Sequence, residues 1–66
     1  MQTDDFIQKV EEHPELQVVH RDATICIIHH RGPDGVRPIR VGVWAIHRAT
    51  WEQLAKAFRI PEPLAV

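Results

Sequence analysis

The chain has 66 residues and starts at Met, which reads as one complete small domain; at this size folding buries only about 60% of the surface that the unfolded chain exposes. Eight Lys+Arg against nine Asp+Glu give a net charge of -1, so there is no basic excess to hold a polyanion, and a 44% hydrophobic share argues against disorder. No apolar run approaches the roughly 20 residues of a membrane span, and the polar start is no signal peptide. One cysteine, Cys26, excludes an internal disulfide and points to a reducing, cytoplasmic setting.

Thr3, followed by Asp4 and Asp5, reads as an N-cap with two acids in the first turn, where the positive end of the helix dipole favours them. Phe6, Ile7 and Val10 then share one face of a short helix, which Pro14 closes near His13. From Leu16 the hydrophobic period changes to two. A first strand covers Leu16 to His20 and a second covers Ala23 to His30, the most β-prone stretch of the chain. Gly32-Pro33-Asp34-Gly35 is a turn, and a third strand is expected from Val36 to Ile46. Thr50 and Gln53 match a capping box; Trp51, Leu54, Ala55 and Phe58 repeat at helical spacing, and Pro61 stops the helix. Residues 60–66 read as an extended tail. The expected fold is α+β in the order α-β-β-β-α, a three-stranded antiparallel meander with two helices packed on one face.

Register follows from the loops. A three-residue loop at Pro33-Asp34-Gly35 sets Ile25 opposite Val43 and Ile27 opposite Val41. A two-residue loop at Arg21-Asp22 sets Val18 opposite Ile25. Both pairings put Leu16, Val18, Ile25, Ile27, Ile39, Val41 and Val43 on the core side. The outer face then carries Val19, Arg21, Thr24, Cys26, Ile28, His30, Arg40, Gly42, Trp44 and Ile46. With both helices on the core side, an apolar patch of Val19, Cys26, Ile28, Trp44 and Ile46 is left uncovered, rimmed by Arg21, His30 and Arg40. Monomeric proteins rarely leave such a patch in water.

Five histidines invite a metal reading. Adjacent His29 and His30 point to opposite faces of a strand, and His20 and His47 are expected two strands apart, roughly 10 Å between Cβ atoms. Cys26 has no Cys or His partner at zinc spacing. No metal and no cofactor are expected. Cys26 also sits mid-strand between isoleucines, where a thiol keeps a raised pKa, and no acid is spaced to orient His30. Catalysis is not expected.

The α-β-β-β-α order resembles that of double-stranded-RNA-binding domains, a likeness of element order and length. That family places a lysine cluster at the start of its last helix, where this chain has Arg48-Ala49-Thr50-Trp51-Glu52-Gln53. Trp51 to Phe58 resembles the opening helix of a helix-turn-helix, but Pro61 and Pro63 stand where its second helix belongs. A nucleic-acid face built on Arg21, Arg40 and Trp44, with Arg31 and Arg37 on phosphates, is the second expectation, since arginines outnumber acids between Arg21 and Arg48. The first is protein association, with Trp44 as anchor of a homodimer through the outer sheet face, because interfaces favour Trp and Arg and a small chain gains from added burial.

Overall fold

The computed structural model describes residues 1–61. Its elements run α1 (Thr3–Glu11), β1 (Leu16–Arg21), β2 (Ile25–Gly32), β3 (Gly35–Gly42), α2 (Val43–Arg48) and α3 (Trp51–Phe58). The strands form one open antiparallel sheet in the order β1-β2-β3. The expected α-β-β-β-α arrangement is therefore present, with the short α2 inserted ahead of the last helix. Among the described residues no helix is long and apolar enough to cross a membrane.

One apolar core holds these pieces together. Phe6 and Val10 of α1, Ile46 of α2, and Trp51, Leu54 and Ala55 of α3 close over Leu16, Cys26, Ile28, Ile39 and Val41 of the sheet. Phe6 and Trp51 meet as a tilted aromatic pair, with ring centroids 5.6 Å apart and planes at 53°. Ile60, read from sequence as the start of the tail, is buried against the same core. The rest of that tail, residues 62–66, lies outside the described residues.

Local chemistry explains the helix ends. Thr3 is not the N-cap: Gln2 holds that position with no side-chain bond, and the Thr3 hydroxyl lies 3.2 Å from His47 Nε2. The capping box of α3 is present, with Gln53 N donating to Thr50 Oγ1 at 3.3 Å and Thr50 N donating to Gln53 Oε1 at 3.0 Å. Arg59 ends that helix in the left-handed conformation (φ 55), and Ile60 N donates back to Ala55 O, two residues before Pro61 would have stopped it. Arg37 reaches from β3 to donate to Arg59 O at 2.7 Å.

Three expectations about the sheet are corrected. First, β3 ends at Gly42. Val43 N donates to Thr24 O across the end of the sheet, and the chain then coils into α2, which sends Ile46 into the core. The last carbonyls of a helix lack partners within it; at the end of α2 the Met1 ammonium donates to Ile46 O at 2.9 Å and to the C-cap Ala49 O at 3.0 Å. Second, Pro33-Asp34 is a two-residue loop closed by the Gly32–Gly35 pair, with Gly35 at φ 125, a conformation that suits only glycine. Ile25 therefore faces Gly42, and Ile28 faces Ile39. Third, β1 pairs Val18 with Ile28 and Leu16 with His30, and a bulge at Val19 shifts the pairing so that Arg21 faces Cys26. Consequently β2 is turned over relative to the expected register. Cys26 and Ile28 point into the core, and Ile25 and Ile27 point away from it.

Candidate functional site

All three helices contribute to the core on one side of the sheet. Its other side has none of them over it. Strand alternation places Gln17 and the bulged Val19 and His20 of β1 on that side. Beside them lie Ile25, Ile27, His29 and Arg31 of β2, then Val36, Pro38, Arg40 and Gly42 of β3. Ile25 and Ile27 are half-buried by their neighbours, while Val19 (44%) and Val36 (53%) are exposed.

Trp44 belongs to this face although it lies on α2. A Cβ on Gly42 would project to the open side, and it would meet Trp44 Nε1 at only 2.8 Å. The indole thus lies across Gly42, at the end of the sheet, 70% exposed. It forms a projecting apolar knob. At the opposite end of the face is a cleft of about 290 Å³, lined by Pro14, Glu15, Leu16, Gln17, His29, Arg31 and Val36.

The eight residues expected to share one patch divide. Val19, Arg40 and Trp44 do lie on the open side. Cys26, Ile28 and Ile46 are fully buried in the core. Arg21 and His30 sit on the helix side: Arg21 pairs with Asp4 of α1, and His30 Nε2 lies 3.3 Å from Glu15 Oε2. The sequence reading missed Ile25, Ile27, Gln17, His29, Val36 and Pro38, and gave Arg31 only a place on phosphates beside the turn. One signal was available. In a two-residue hairpin the closing pair is hydrogen-bonded, so bonded pairs recur at every second residue, and a proline is tolerated only between them. Pro38 at such a site turns Val36, Arg40 and Gly42 to the same side as itself.

Both sheet edges are blunted. The bulge at Val19 interrupts the outer edge of β1. On β3, the residues not bonded to β2 present their backbone groups outward, and in the middle of that row Pro38 has no N–H to offer. Adding a strand to either edge is therefore disfavoured, which leaves the face.

Burial pushes the Cys26 thiol up, away from the reactive thiolate. At the β1–β2 turn, His20 Nε2 lies 2.8 Å from Asp22 Oδ2. Oδ1 of the same carboxylate accepts from Thr24 N, the Thr24 hydroxyl and Ile25 N at 2.8–2.9 Å. The His20 contact, followed by these bonds, holds Asp22 well below the usual carboxylate range. His13 is buried, its Nδ1 accepting from Glu15 N. Among the described residues no three His, Cys, Asp or Glu side chains are grouped to hold a metal. Comparison with protein families, curated proteins and solved structures finds no match for this chain.

Proposed function

We propose that this protein is a small non-enzymatic association module that works as a homodimer, its open sheet face packed on that of a second copy. The observation that carries this is a sheet face left open among the described residues: Trp44 stands 70% exposed across Gly42, at the end of the row that holds Ile25, with Val19 and Val36 also exposed. Such a row of apolar side chains gains by leaving water, at roughly 25 cal/mol per Å². The blunted edges favour face packing over strand addition. A standard interface takes about 800 Å² per partner, near a sixth of the 4769 Å² accessible here. A single buried thiol suits a reducing, cytoplasmic setting.

Nucleic acid has lost ground as an occupant. Arg21 is engaged by Asp4 on the helix side, which leaves Arg31 and Arg40 as the arginines of the open face. Sedimentation equilibrium at low micromolar concentration, in low and high salt, separates the two. A dimer that holds or tightens with salt is expected. A monomer at both salts overturns the proposal, and binding of DNA or RNA that weakens steeply with salt would give the face to nucleic acid instead.

A further inference from the structure

The knob and the cleft lie on the same face at opposite ends. Trp44 covers Gly42, in the row Ile25–Gly42; the cleft lies at the row Arg31–Val36, six residues along the strands. At about 3.3 Å per residue, roughly 20 Å separates them. A two-fold axis lying between the two faces, parallel to them and perpendicular to the strands at the midpoint of knob and cleft, brings the knob of each copy over the cleft of the other. Such an interface is isologous and closes with two chains.

We infer that the Arg31–Val36 cleft is a seat for the Trp44 indole of a second copy. This rests on the open-face dimer proposed above and specifies its anchor. Size permits it, since a cavity of roughly 150 Å³ already holds a benzene ring and this cleft has about 290 Å³. So does chemistry. Pro14 and Val36 give the indole apolar walls, and Arg31 offers a guanidinium to its π face. The side-chain carbonyl of Gln17 at the same cleft is an acceptor for the indole N–H. The arrangement also removes the main electrostatic objection to pairing two copies of one face. Antiparallel stacking sets Arg40, two rows from the Trp44 end, over the row of Gln17, His29 and Pro38 rather than over another arginine.

The test uses two variants whose changes lie at exposed positions. Trp44→Ala keeps the cleft and lacks the knob; Val36→Asp keeps the knob and places a carboxylate beneath the seated ring, drawing Arg31 away from it. Each alone is expected to weaken dimerisation on the order of 100-fold or more, as loss of a buried aromatic anchor does, with circular dichroism unchanged. Mixed in equal amounts, the two restore one intact seat per pair, and sedimentation equilibrium should show a mixed dimer where each alone is monomeric. A monomeric wild type overturns the dimer itself. A wild-type dimer that survives either change, or two monomeric folded variants that stay monomeric on mixing, overturns the seat and leaves the open-face dimer standing.

Discussion

Asp22 shows how much one side chain can organise. Its carboxylate ties off the β1–β2 turn by accepting from Thr24 and Ile25 while its second oxygen meets His20. An isolated hairpin of this size is marginal in water, so a turn closed by three bonds to one carboxylate oxygen helps hold β1 against β2. Because those contacts favour the charged form, the folded pKa lies below the unfolded one. The charge therefore stabilises the fold above about pH 4, the unfolded carboxylate value, and that contribution fades as pH falls below it. Asp22→Asn keeps an oxygen for the turn and removes the charge. It should lower the urea midpoint at pH 7, and the gap to wild type should narrow below about pH 4. Cys26 teaches a different lesson at this scale: a residue between isoleucines is apolar on both sides, and nothing in its immediate neighbours says which face it takes.

That ambiguity explains what the elements revealed of themselves and what they concealed. The existence of α1, three strands and α3 follows from periodicity, Pro14 and the Thr50–Gln53 box, and Leu16, Val18, Ile39 and Val41 face the core as their alternation demands. Only β2 was turned over. The β2–β3 loop was misjudged by one residue. The β1–β2 loop was placed two residues early, an even slip in register that the unforeseen bulge at Val19 makes odd for Leu16 and Val18. Odd slips on either side of β2 thus restore the faces of those residues and of β3. Agreement between the two hairpins was thus blind to the error, and Ile25-Cys26-Ile27-Ile28 has no polar position to expose it. Helix α2 was hidden for another reason. Val43, Trp44 and Ile46 are good strand formers, and what bends them into a helix is a tertiary bond from Val43 N to Thr24 O together with the burial of Ile46. A continued strand would also have put Trp44 on the open side, beyond Gly42; the bend instead lays its indole back across Gly42. The capping box of α3 was legible because it is local; Thr50→Ala should cost about 1 kcal/mol in urea unfolding, as loss of such caps does.

At the scale of the whole molecule, stability and association are coupled. A chain of 66 residues has a small core, and partner binding adds to the stability of the folded state by mass action. The wild-type unfolding midpoint should therefore rise with protein concentration, a tenfold increase adding about 1.4 kcal/mol per dimer, whereas Trp44→Ala should show a flat midpoint across the same range. Pro38 and the Val19 bulge have a consequence for crowded conditions. Where many copies meet before they are fully folded, a bare strand edge acts as a template on which further chains are added without end, the route to fibrils. Here one edge lacks a donor at its centre and the other is broken in step. Growth by templating is arrested at both sides, so the stoichiometry of any assembly is left to a surface that a single occupant uses up.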